Sequence, residues 1–147
     1  MTDISGVGIQ VTVIASLTFP VGFRVTQFAD DADPFDTPDI QIADKAMGVN
    51  GDLIVWSTAQ PIIVNLAVIP NTEDDRNLAI LAEANRVGRG KLPIKDGITM
   101  IRSFPNQTPL ILTGGKITNM PPSSSVASAG RLKSKVYQFA FENKVGI

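Results

Sequence analysis

Ile62-Ile63-Val64-Asn65-Leu66-Ala67-Val68-Ile69, followed at once by Asn71-Thr72-Glu73-Asp74-Asp75-Arg76-Asn77-Leu78, is the stretch on which the fold turns. The first run is almost continuously apolar and β-branched. That is the signature of a central strand buried on both faces. The second changes period. Asn71 or Thr72 is placed to cap a helix, and Glu73, Asp74 and Asp75 fall in its first turn, where the helix dipole favours negative charge. Leu78, Leu81, Ala82 and Asn85 share one face, with Ile80, Ala84 and Val87 beside it. Gly88, next to Arg86 and Arg89, suits the C-terminal end. About fifteen residues at 1.5 Å each give an amphipathic helix of roughly 22 Å, expected to lay its Leu/Ala stripe on a sheet.

Outward from this unit, strands dominate. Ile9 to Ala15 alternates β-formers, and Phe23 to Phe28 follows a turn expected at Pro20 and Gly22. A weaker strand within Asp39 to Ala46 leads to Asn50-Gly51, a hairpin signal because both turn positions favour positive φ, and then to Leu53-Ile54-Val55-Trp56-Ser57. Beyond the helix come Ile98 to Ser103, Leu110 to Thr113, Lys116 to Asn119 and Val136 to Glu142, with Gly114-Gly115 read as a second tight hairpin turn. Tyr137, Phe139 and Phe141 alternate toward one face and read as core. Nine strands and one helix predict a mainly β chain, an antiparallel β-barrel or sandwich with one packed α-helix. No internal repeat is present.

The chain has 147 residues, 44% hydrophobic and 18% charged, which fits a single domain over 1–147 with a real core. It contains neither cysteine nor histidine. Disulfides, thiol nucleophiles and histidine-dependent catalysis or metal binding are therefore excluded. No apolar run is long enough for a membrane-spanning helix. Met1-Thr2-Asp3-Ile4-Ser5-Gly6 carries an acid where a signal peptide carries bases, so synthesis and use in a cytoplasm are expected.

Net charge is −1, but residues 1–85 sum to −9 and residues 86–147 to +8. Such a split suits a subunit whose one surface complements another on its neighbour, unless folding interleaves the signs. The acidic stretch, about 29–39, holds Asp30, Asp31, Asp33, Asp36 and Asp39 with Pro34 and Pro38, and is expected to be an exposed loop. The basic stretch contains Arg131, Lys133 and Lys135. It follows the small-residue run Pro121 to Gly130, so that about 121–135 reads as a long loop of flexible-linker composition.

The search for chemistry comes back nearly empty. Asp31 and Asp33 have the spacing of a calcium loop, but Phe35 stands at the next ligand position, and the loop's glycine and distal glutamate are missing. Paired carboxylates could serve a glycosidase, but nothing in the pattern raises one pKa selectively. Gly88-Arg89-Gly90-Lys91 lacks the remaining phosphate-loop residues and leaves a helix rather than entering one. Gly6-Val7-Gly8 is too short a match to use. Trp56 reads as core or interface. No catalytic residue, cofactor site or metal site is expected.

Ile42 to Ser57 resembles the hairpin of contractile-phage tail tube proteins, with Gly48-Val49-Asn50-Gly51 as its glycine turn. Pro61 to Pro70, the acidic helix start at Asn71 to Leu78, and the helix end Ala84-Asn85-Arg86-Val87-Gly88 match the next elements in order. Val136-Tyr137-Gln138-Phe139-Ala140-Phe141 resembles the closing strand. The likeness runs in element order from Phe19 to the C-terminus. The Ser-rich loop and the Asp/Pro-rich loop depart from the family pattern. The resemblance implies a small β-barrel or sandwich with a flanking helix, a fold shared with the type VI secretion tube protein. It further implies self-assembly into hexameric rings stacked as a hollow tube in the virion tail, built in the bacterial host cytoplasm. The implied partners are tail sheath, baseplate and tail terminator proteins, with DNA passing through a neutral or negative lumen without sequence-specific binding. On this reading Asp30, Asp31, Asp33, Asp36, Asp39, Asp44, Lys45, Asn50 and Gly51 are candidates for ring and subunit contacts. Arg131, Lys133 and Lys135 are expected to meet a neighbour's acidic surface or the sheath, serving assembly rather than folding. The alternative is a baseplate or capsid-associated β-domain that binds without polymerising; an enzyme stands third.

Overall fold

The computed structural model describes residue 2 and residues 4–105 and 107–146. Among the described residues ten strands and one helix run in the order β1 (Gln10–Ala15), β2 (Phe19–Val25), β3 (Phe35–Asp36), β4 (Ala43–Met47), β5 (Leu53–Ser57), β6 (Ile62–Val68), α1 (Glu73–Ala84), β7 (Ile98–Ser103), β8 (Leu110–Asn119), β9 (Lys135–Phe141) and β10 (Asn143–Val145). All named pairings are antiparallel. The main sheet has the path β2-β1-β7-β8-β9-β6-β3, with β10 on β8, while β4 and β5 pair only with each other. The path ends at β2 and β3 and does not close, so the architecture is a sandwich rather than a barrel.

The two layers share β8. Its first part pairs with β7 and β10, Met100 opposite Leu112 and Lys144 opposite Leu112. Its second part pairs with β9, Lys116 opposite Ala140 and Ile117 opposite Phe139. The register of β8 against β9 continues unchanged into β10, so the two segments cross between layers as one bent ribbon. Strands that switch layers do so at bends, and this bend is Gly114-Gly115. The pair is thus not the tight turn expected from the sequence. Gly114 takes φ 65°. A Cβ on Gly115 would overlap the Phe141 ring and lie 3.0 Å from the Ile98 carbonyl. Phe141 therefore lies over a glycine, an arrangement in which the ring fills the space the missing side chain leaves.

Inside, Val11, Val13, Ala15 and Val25 of one layer face Val64, Leu66, Tyr137, Phe139 and Phe141 of the other. Leu78, Leu81 and Ala82 of α1 join the same cluster. The aromatic alternation of β9 points inward as expected. β6 is continuously buried only from Leu66 to Val68; before that burial alternates, with Val64 inside and Ile62, Ile63 and Asn65 half-buried, so the strand is not covered on both faces along its whole length.

Local departures have local causes. The β1–β2 turn falls at Ser16-Leu17-Thr18, ahead of Pro20 and Gly22, because the Asp96 carboxylate accepts the N–H groups of Leu17 and Thr18 at 2.8 and 3.0 Å. Gly22, φ 87°, lies inside β2, where a Cβ would meet Ile14. The acidic stretch is laid along the edge of β6 through Ala29 N–H to the Ala67 carbonyl and Ala67 N–H to the Pro34 carbonyl, both 3.1 Å. The Ser-rich stretch forms a miniature hairpin, with Val126 bridged to Leu132 and Gly130 at φ 88° closing its turn. In the Asn50-Gly51 hairpin only Gly51 takes positive φ. The helix stops at Ala84, where Asn85 caps it, leaving Val87 exposed.

Replacing Gly115 with alanine is expected to cost about 1–3 kcal/mol, because the fully buried Phe141 ring has nowhere to move. Gly6→Ala, with open space around it, is the control and should be neutral. Urea denaturation of both variants checks this. Equal midpoints would mean that the β8 crossing tolerates a side chain.

Candidate assembly surface

The most exposed apolar element is the β4–β5 hairpin. Its ladder runs from Ala43 opposite Ser57 to Met47 opposite Leu53, and among the described residues it joins no other strand. Thr58 closes its base, donating its N–H to the Ile42 carbonyl and its hydroxyl to the Gln41 carbonyl, both 3.1 Å. Successive strand residues point to opposite faces. Leu53 and Val55 therefore face one way and Ile54 and Trp56 the other. Their exposures are 63%, 61%, 53% and 47%, so neither face is covered. Met47, Val49 and Ile42 extend the same surface. Trp56 is consequently not part of the core. A lone two-stranded hairpin is marginal in water, and each large apolar side chain left out forgoes roughly 1.5–3 kcal/mol of burial.

At the foot of the hairpin lies a groove of about 320 Å³ whose walls include Pro38, Asp39, Ile40, Arg102, Leu112 and Lys144. The Arg102 guanidinium sits 5.3 Å from the Phe35 ring centre and 5.1 Å from that of Phe104. Burial lowers its pKa from the ordinary arginine value. Sequence reasoning passed over Arg102. The available signal was a cation inside the otherwise apolar and neutral strand Ile98 to Ser103.

The charged loops behave differently. Arg131 grips Asp30 through two 3.1 Å hydrogen bonds, and Ser134 donates to Asp31. The Arg131 fork holds the Asp30 carboxyl below the usual carboxylate range. Acidic and basic stretches thus meet within one subunit. Asp33, Asp36 and Lys133 remain exposed, as do Lys45, Asn50 and Gly51 on the hairpin, while Asp44 is half-buried. Asp39 lies in the groove wall.

Lys135 is a correction. It begins β9 rather than ending a loop, its side chain is 12% exposed, and its ammonium lies 3.2 Å from buried Asp75. Asp75 also accepts the Tyr137 hydroxyl at 2.8 Å and the Asn71 N–H at 3.0 Å. Burial and the Asp75 carboxylate raise the Tyr137 pKa. Asp74 accepts the N–H groups of Thr26 and Gln27, each at 2.9 Å. The two acids therefore pin the start of α1 to both layers, beyond any service to the helix dipole. At its other end Asn85 donates to Asp96 at 2.9 Å. Burial pushes the Asp96 carboxyl up, but hydrogen bonds from Thr18, Asn85 and the Leu17 backbone outweigh it and hold the pKa below 3.8. Among the described residues no cluster of three potential ligands is placed to hold a metal ion, and no helix is long and apolar enough to cross a membrane.

A family model described as tail fiber protein gp32 matches residues 2–145. The chain belongs to the tail fiber protein gp32 family. No curated protein matches it. Among solved structures, it is similar to a chain described as the PVC sheath/tube terminator of an extracellular contractile injection system in the extended state. That match has 12% identity and TM-score 0.58, and covers 99% of this chain and 96% of the other. It is also similar to a chain of the anti-feeding prophage baseplate, at 9% identity and TM-score 0.56, covering 99% and 97%. At such identities the likeness concerns the fold. Membership of the gp32 family makes the chain a tail-associated structural protein of a phage-type particle.

Two outcomes follow from the anchors of α1. Lys135→Glu should destabilise the subunit by about 3–5 kcal/mol, by setting a carboxylate against buried Asp75, whereas exposed Lys133→Glu should leave folding unchanged. Thermal melts of the two variants decide it. Because the folded pKa of Asp96 is depressed, its stabilisation is complete above the unfolded value of 3.8 and disappears as pH falls through the folded value. Asp96→Asn should flatten the acid limb of stability below pH about 4, read by urea titrations at several pH values.

Proposed function

We propose that this protein is a ring-forming structural subunit at an end of the tube of a contractile tail, joining tube to terminator or baseplate parts, and that it has no enzymatic activity. The observation that carries this reading is the two-faced apolar hairpin β4–β5, which the described residues of its own subunit leave exposed. Copies arranged head to tail around an axis bury such an element repeatedly, and closure of the ring leaves none exposed. The open ends of the sandwich, β2 and β3, are edges that assembly would also protect. Likeness of fold to a sheath/tube terminator and to a baseplate chain supports placement at a tube end.

The long-tube reading keeps one specific support, the charge split of −9 and +8. Part of that split is closed inside the subunit, by Asp30 with Arg131 and Asp75 with Lys135. Less of it is left for stacking ring on ring, which favours a single ring over an indefinite tube.

Negative-stain electron microscopy and mass photometry of the purified chain, across concentration and salt, test the proposal. Discrete closed rings of one size are expected. Long hollow rods with a single repeat would transfer the assignment to the tube itself, and a monomer at all concentrations and with added tube ends would overturn it.

A further inference from the structure

We propose that the groove around Arg102 is the receptor for the hairpin tip of a second copy, with Asp52 of that copy set against the Arg102 guanidinium. This rests on the ring reading and names its contact. Three observations carry it.

First, Arg102 is a cation lacking an acceptor. Its Nε is buried without a hydrogen-bond partner, and no ion pair reaches it among the described residues. Its guanidinium lies over the Phe35 and Phe104 rings, which stabilise a cation but accept no conventional hydrogen bond. Lys144 adds a second positive charge to the groove, and Ile62, Leu110 and Leu112 supply apolar wall. A bidentate carboxylate carried on an apolar segment satisfies such a site better than a phosphate, which would leave the apolar wall uncovered.

Second, the hairpin tip has the matching chemistry. Asp52 is exposed and sits between Val49, fully exposed, and Leu53, with Met47 across the ladder. The other exposed acids differ. Asp30 and Glu83 are already paired with arginines, Asp31 is held by Ser134, and Asp39 belongs to the groove wall. Asp33, Asp36, Glu73 and Glu142 are exposed as well, but none of them lies on the apolar hairpin.

Third, geometry separates tip from groove within one subunit. Pro38 to Ile40 in the groove wall lie just before the hairpin root, and five-residue strands at about 3.3 Å per residue carry the tip roughly 17 Å away. No residue of the hairpin, 43–57, is among the groove's walls, so a tip that fills the groove comes from another copy. The contact joins unlike surfaces, which is the kind of interface that closes into rings.

The test compares wild type, Asp52→Lys, Arg102→Glu and the double variant by mass photometry, with circular dichroism to confirm folding. Each single reversal should raise the concentration needed for assembly at least about tenfold, and the double should recover most of that loss. Because Arg102→Glu also removes the contacts with Phe35 and Phe104, a second readout does not use it. The chain has no cysteine, so a Thr37→Cys/Val49→Cys variant should give a ladder of disulfide-linked oligomers on oxidation. Wild-type rings together with normal assembly of Asp52→Lys and no ladder would overturn the docking contact and leave the ring reading standing. Absence of any oligomer would overturn both. Normal assembly of Asp52→Lys, with retention of duplex DNA that Arg102→Glu abolishes, would assign the groove to phosphate and overturn the proposal.

Discussion

The packing of the Phe141 ring over Gly115 is the contact on which the rest of the sandwich depends. β8 must pair with β7 and β10 at one end and with β9 at the other, and only a residue without a side chain lets the ribbon bend while an aromatic ring lies on it. Once the ribbon has crossed, Tyr137 and Phe139 face Val11 and Val13 across a shared interior. A regular strand here would have left two half-exposed sheets in place of one core.

The second organising device is polar. Carboxylates at Asp74, Asp75 and Asp96 are buried but hydrogen-bonded, and each fastens α1 or its flanking segment to a different part of the sandwich. Buried acids without such partners would be strongly destabilising. With them, the helix is located at both ends, and the apolar stripe of Leu78, Leu81 and Ala82 closes over the core. The same device absorbs Lys135, a charge that composition alone would assign to the surface.

What remains outside this scheme is the hairpin. It contributes nothing to the core, carries apolar side chains on both faces, and stands beside a groove containing an arginine with no acceptor among the described residues. A subunit that is well satisfied within and unsatisfied at one projecting element is what the proposed ring requires, in which association would complete the burial that folding leaves undone.

Mainly antiparallel strands, one amphipathic helix capped near Thr72, the inward aromatics of β9 and the existence of the β4–β5 hairpin were all legible in the sequence. Each depends on the period of apolar residues along a short stretch, which is local information. The candidate surface was legible only in part. The hairpin could be read, but its freedom from the core could not, because a run of apolar residues looks the same whether a sheet or a neighbour covers it. Tertiary structure alone decided that Gly114-Gly115 bends a continuous strand, that Asp30 meets Arg131, that Lys135 is internal, and that Arg102 faces a groove. These are contacts between residues that in most cases lie far apart in the chain. Their partners are chosen by the way layers stack, and a linear pattern carries no record of that choice.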